Sequence, residues 1–195
     1  MNITKLKKYI LEKFQHLIPG NLSYHGIHHS LSVLEVCGQY IGQLEITEHD
    51  AFLLQTAALF HDLGFTHGYD NHEEQSVLIA AEVLPELGYS ITDIEKIAGM
   101  IRATKLPQNP QNLLEEIIGD SDLDYLGTDE FYTTGETLYQ ELFANGRISS
   151  HEEWDRLQVN FLRTHRYHTT FARQYREPRK QQHLQEILDK WSWTI

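Results

Sequence analysis

At 195 residues the chain is long enough for one well-buried domain. Its 28 Asp and Glu against 16 Lys and Arg leave a net charge of -12, a surface that repels a phosphate backbone, so nucleic acid is not an expected partner. One cysteine, Cys37, excludes an internal disulfide and a thiolate metal cage, and no uncharged apolar run of about 18 residues offers a membrane span.

The opening MNITKLKKYILEKF carries charges through any apolar core and has no small-residue cleavage site, so a cytoplasmic protein is expected. Three histidines follow within Tyr24-His25-Gly26-Ile27-His28-His29-Ser30. Along a helix from Ser30 to Tyr40, His29 shares a stripe with Val33, Val36, Cys37 and Tyr40, whereas His28 falls with Leu31, Ser32, Glu35 and Gln39. His29 is therefore expected to point inward and His28 outward; His25 joins His29 on one face only if the helix starts early enough.

Asp50 leads into Ala51 to Phe60, apolar nearly all round and so a central, buried helix. At its end stand His61 and Asp62. A carboxylate there is costly unless paired, hydrogen-bonded or bound to a metal; the plainer alternative is that Asp62 caps the next turn and His61 is a satisfied core histidine. Helix starts are then expected at Asn71 with Glu74, ahead of Val77, Ala80, Ala81 and Leu84, and at Thr92 in a capping-box pattern, ahead of Ile94, Ile97, Ala98 and Ile101.

In Leu113 to Leu126 a helical reading sets Asp122 on the face of Leu114, Ile118, Tyr125 and Leu126, and Asp120 among Glu116, Ile117, Leu123 and Asp124. Asp122 is the one expected to be buried, unless Asp120 to Asp124 mark a fraying end after Gly119. Ser150 with Glu153 opens a last clear run, through Trp154, Leu157, Phe161 and Leu162. Stop signals at Gly64, Gly88, Pro107 to Pro110, Gly127 and Asn145-Gly146 separate the runs, and no alternating strand occurs. The expected fold is one all-α domain of about seven or eight helices, with the region after Gly127 as a C-terminal helical extension. Arg156, Arg163, Arg166, Arg173, Arg176, Arg179, Lys180 and Lys190 hold half the cations, as a solvated helix face or an anion-attracting patch.

Two inward imidazoles, His29 and His61, and two inward carboxylates, Asp62 and Asp122, thus come from three helices. One divalent cation accounts for all four. Nitrogen and oxygen donors without sulfur suit Zn, Fe, Mn, Co or Ni, with Mg at the oxygen-rich end, and two carboxylates balance the ion's charge.

With Tyr24 to Ser30, the His61-Asp62 doublet and Asp120-Ser121-Asp122-Leu123 in this order, residues 20 to 127 resemble the HD superfamily of metal-dependent phosphohydrolases. The resemblance implies His29, His61, Asp62 and Asp122 as metal ligands, His25 as a proton donor to the leaving group, and His72 as a further ligand of two-metal members. Arg102 and Lys105 stand where members that open cyclic dinucleotides carry another histidine, and their Gly-Tyr-Pro-type motif is missing. One metal per chain is expected, with a weak second site at His72 left open.

The implied reaction is hydrolysis of a phosphomonoester or phosphodiester in a small, nucleotide-like molecule. Asp62 would orient the attacking water and take its proton, His72 or His25 would protonate the leaving oxygen, and Arg102 and Lys105 would hold phosphate. Those two cations equally suit the C-terminal end of their helix. Two other readings stand beside the hydrolase: a di-iron oxygenase of the same architecture, needing about six ligands, and a non-catalytic nucleotide sensor. A homo-oligomer is possible under any of them. His16, His49, His151, His165, His168 and His183 match no ligand motif.

Overall fold

The computed structural model describes residues 3–17 and 20–194, apart from the side chains of residues 15 and 16, so His16 lies outside the described side chains. Ten α-helices and three short 3-10 turns make up the regular structure among the described residues, and no strand occurs there. The chain divides into two units, 1–122 and 123–195. No described helix is long and apolar enough to cross a membrane.

The first unit contains α1 (Ile3–Leu17), α2 (Ile27–Ile41), α3 (Glu48–Phe60), α4 (His72–Val83), α5 (Ile91–Ala103) and α6 (Leu113–Asp122). In α1 the buried residues Leu6, Ile10 and Phe14 recur every four positions, the spacing of one helix face. The central helix is α3, buried from Leu53 to Phe60 apart from Gln55, and packed against α1, α2, α4, α5 and α6. Because its neighbours surround it, α3 needs apolar residues on nearly all sides, and its buried Thr56 is tolerated because the hydroxyl bonds to the Phe52 carbonyl and the Tyr89 hydroxyl.

Side-chain oxygens set the starts of α3 and α5, each a few residues ahead of the expected one. Thr47, not Asp50, caps α3, its hydroxyl accepting the Asp50 N–H at 3.0 Å. Ser90 caps α5 and forms the reciprocal capping box with Asp93, two residues before Thr92. Asn71 precedes α4 as expected but has a left-handed backbone (φ 59) and makes no side-chain cap; an N-cap is ordinarily extended. Glu74 is instead free to pair with Arg102.

The second unit contains α7 (Phe131–Ala144), α8 (His151–Thr164), α9 (Thr170–Tyr175) and α10 (Glu177–Trp191). Ser150 caps α8 as expected, accepting the Glu153 N–H. A helix break at Arg176, with Pro178 in the first turn of α10, makes two helices of one cationic stretch and helps raise the helix total above seven or eight. The cations there are largely paired within the unit: Arg176 with Asp124 at 2.7 Å, Arg179 with Asp129 and Glu186, Lys180 with Glu177 and Lys190 with Asp155. Tyr139, Ile148 and Trp154 form a core cluster joined by Leu138 and Leu142.

Candidate metal centre

Three helices of the first unit deliver the centre. His29 comes from the first turn of α2, His61 is the C-cap of α3 with Asp62 directly after it, and Asp122 ends α6. The donor atoms of His29, His61 and Asp122 lie within 4.8 Å of one another. His29 Nε2 is 2.8 Å from Asp122 Oδ1 and 3.3 Å from His61 Nε2. Asp62 falls outside that trio, yet its Oδ2 is 3.5 Å from His29 Nε2 and 3.3 Å from His61 Nε2.

These spacings fit a cation. Metal–nitrogen and metal–oxygen bonds of about 2.0–2.2 Å require neighbouring donors roughly 3 to 3.5 Å apart around an octahedron or tetrahedron. His61 Nδ1 is 2.9 Å from the Ala58 carbonyl, which can only accept, so Nδ1 carries the proton and Nε2 turns toward the carboxylates. Asp62 Oδ2 is buried without a hydrogen-bond partner, and Asp62 makes no capping bond to the turn Leu63–Thr66 that it precedes. Such an oxygen is costly unless a positive charge meets it. The capping alternative for Asp62 therefore does not describe this chain.

Electrostatics point the same way. Burial opposes charge on His61, but the carboxylates of Asp62 and Asp122 outweigh it and raise its pKa well above the ordinary imidazole value. Burial likewise opposes charge on Asp62 and Asp122, and the imidazoles of His61 and His29 overcome it, holding both carboxyls far below their usual range. A positive charge at the His61 imidazole is thus favoured by the same two carboxylates that would favour a cation.

The remaining candidates sit at different distances from this group. α2 begins at Ile27, so His25 does not share a helix face with His29; a turn in which the Gly26 N–H bonds to the Tyr24 carbonyl brings its ring to 6.2 Å from that of His29. His72 Nε2 is 3.7 Å from Asp62 Oδ1 and 3.6 Å from Glu73 Oε1. Burial lowers the His72 pKa, with Asp62 and Glu73 acting against it. Both rings stack on Phe65, at 4.2 Å for His25 and 4.0 Å for His72. His28 is exposed, as its face predicted.

Arg102 and Lys105 are not joined to the donor group by any described contact. The Arg102 guanidinium is engaged by Glu74 through two bonds, at 2.7 and 3.0 Å, and Lys105 Nζ is 3.4 Å from Asn71 Oδ1, next to His72. Asp120 also departs from expectation: it is fully buried, whereas Asp122 keeps 15 % of its side chain exposed. Packing of α6 against α2, α3 and α5 together covers more than the one face that the helical pattern considered. Phe65 and Ser76 were not anticipated. A buried serine within the apolar stripe of α4 is the same kind of signal that singled out Asp62.

A model of the HD domain matches residues 26–126, and the chain belongs to that family. That family groups metal-dependent phosphohydrolases, and its fold is all-α like this one. The deoxynucleoside triphosphate triphosphohydrolase SAMHD1 homolog of Dictyostelium discoideum is 24 % identical over 159 residues, covering 65 % of this chain. The match spans 31 % of that relative's length. No solved structure matches the chain.

Proposed function

We propose that this chain is a metal-dependent phosphohydrolase that cleaves a phosphomonoester or phosphodiester bond in a small, nucleotide-like molecule. The observation that carries the reading is the convergence of His29 Nε2, His61 Nε2, Asp122 Oδ1 and the unpartnered Asp62 Oδ2. We assign these four residues to one divalent cation per chain. When bound, the cation supplies positive charge for a nonbridging phosphoryl oxygen and acidifies water. The name of the Dictyostelium relative favours a nucleotide substrate.

Within this reading Asp62 orients the attacking water and accepts its proton, because its buried carboxylate borders both imidazoles. His72, with Nδ1 3.4 Å from the Tyr69 carbonyl and Nε2 3.7 Å from Asp62 Oδ1, takes that proton from Asp62 on Nε2 and passes it to the leaving oxygen, and His25 is the second candidate across Phe65. Lys105 is the phosphate-binding cation, since its Nζ is 3.4 Å from Oδ1 of Asn71, the residue that precedes His72. Arg102 serves only if substrate draws it from Glu74.

The test is a panel of deoxynucleoside triphosphates, nucleoside monophosphates and cyclic nucleotides against metal-stripped protein supplied with Mn2+, Co2+, Ni2+, Zn2+ or Mg2+. Turnover should require the metal and be lost in His61→Ala. Activity that survives both chelation and His61→Ala defeats the reading.

A further inference from the structure

Ser76 has no exposed surface and lies one helical turn beyond His72 on α4, which packs against the turn Leu63–Thr66. Its hydroxyl donates to the His61 carbonyl at 2.6 Å and accepts the Gly64 N–H at 2.8 Å. The carbonyl belongs to the end of α3, where helix carbonyls have no partner within the helix. One hydroxyl thus ties down the backbone on both sides of Asp62. Gly64 measures how closely the two segments run: a Cβ there would lie 1.9 Å from the His72 carbonyl oxygen and 2.8 Å from the Ser76 amide nitrogen. The same apposition sets His72 Nε2 3.7 Å from Asp62 Oδ1.

We propose that Ser76 is a positioning residue, which locks the first turn of α4 to the His61-Asp62 doublet and so fixes His72 against Asp62. It bonds to the backbone of His61 and not to the ring nitrogen that faces the carboxylates, so it acts on the placement of the proton-transfer groups more than on the cation. Its effect on turnover rests on the hydrolase reading above; its effect on the geometry of His72 does not.

The experiment compares wild type, Ser76→Ala and Ser76→Thr, with Ala80→Gly on the same helix as a control for lost stability. In metal-free protein the ring resonances of His72 in 1H–15N NMR shift in Ser76→Ala, while those of His49, paired with Asp93 at the other end of α3, stay in place. Mn2+ affinity by calorimetry changes by less than about threefold, and kcat falls by about 10- to 100-fold with KM within about twofold. Ser76→Thr, which keeps the hydroxyl, recovers kcat to within about fivefold of wild type. If Ser76→Ala does not fold, the contrast between Ser76→Thr and Ser76→Val, alike in shape and different in the hydroxyl, replaces it. Unmoved His72 resonances, or a kcat loss no greater than in Ala80→Gly, overturns the proposal. A wild type inert with every metal overturns the hydrolase reading instead, and the His72 resonances still decide the role of Ser76.

Discussion

His29 Nε2 and His61 Nε2 face each other at 3.3 Å from separate helices, and the other ring nitrogen of His61 is already committed to the Ala58 carbonyl at 2.9 Å. Neither Nε2 can turn away without breaking a contact that holds it. Two such nitrogens, bordered by Asp62 and Asp122, share either a proton or a cation. On the reading proposed above, the two exchange at this centre.

Metal affinity should therefore depend on pH. In the metal-free protein the carboxylates hold the His61 pKa well above its ordinary value despite burial, so near neutrality a cation has to displace a proton. Affinity rises with pH and levels off only once that raised pKa is passed, by up to about tenfold per pH unit for each proton displaced. Calorimetry of Mn2+ binding at about pH 6 and pH 8, in buffers of different ionisation enthalpy, reads both the affinity and the protons released. Equal affinities with no proton release would contradict the arrangement.

Gly64→Ala should be among the most damaging single-methyl changes in the first unit. The added Cβ would lie 1.9 Å from the His72 carbonyl oxygen, and backbone atoms cannot swing aside as a side-chain end can. A loss of about 2–3 kcal/mol is expected from overpacking, measured by urea unfolding, together with a fall in kcat. Gly26→Ala, where nothing lies within 4 Å of the new Cβ, is the contrasting control.

The second unit has its own acid sensitivity at His165. Burial, then the nearby charges of Lys180, His168 and Arg166, lower its pKa to about 3 from the ordinary 6.5. Below 6.5 the unfolded chain takes up a proton that the folded chain refuses, so this group's contribution is full above that pH and shrinks as pH falls toward 3. By pH 5 the loss is about 2 kcal/mol. In His165→Gln the difference between unfolding free energies at pH 7.5 and pH 5 should be smaller than in wild type by a similar amount.

Arg102→Ala and Lys105→Ala should separate. The Arg102–Glu74 pair is half exposed, so its removal costs at most about 0.5 kcal/mol of stability after solvent screening. KM for a phosphate ester should change less than about twofold in Arg102→Ala and rise about tenfold or more in Lys105→Ala. Equal effects on KM would return Arg102 to the substrate site.

Patterns that depend on neighbouring residues were legible in the chain itself. The helical period and the stop signals sufficed for an all-α fold, and the stripe through Val33, Cys37 and Tyr40 was enough to turn His29 inward and His28 outward. Helix starts were legible only to within a few residues, because Thr47 and Ser90 offer the same capping oxygens as Asp50 and Thr92. The burial of Asp120 was not legible: a helical pattern considers one covered face, and three helices cover α6.

By itself the sequence determined the helical class and which imidazoles and carboxylates interrupt apolar faces, since both follow from side-chain direction along a single helix. Only the tertiary structure decided their mutual distances. It also decided that a turn ahead of α2, and not a shared helix face, carries His25 toward His29, that Glu74 occupies Arg102, and that Ser76 clasps the doublet. The contacts of Glu74 with Arg102 and of Ser76 with His61 join residues of different helices far apart in the chain, and their energies depend on how whole helices pack, which no local spacing encodes.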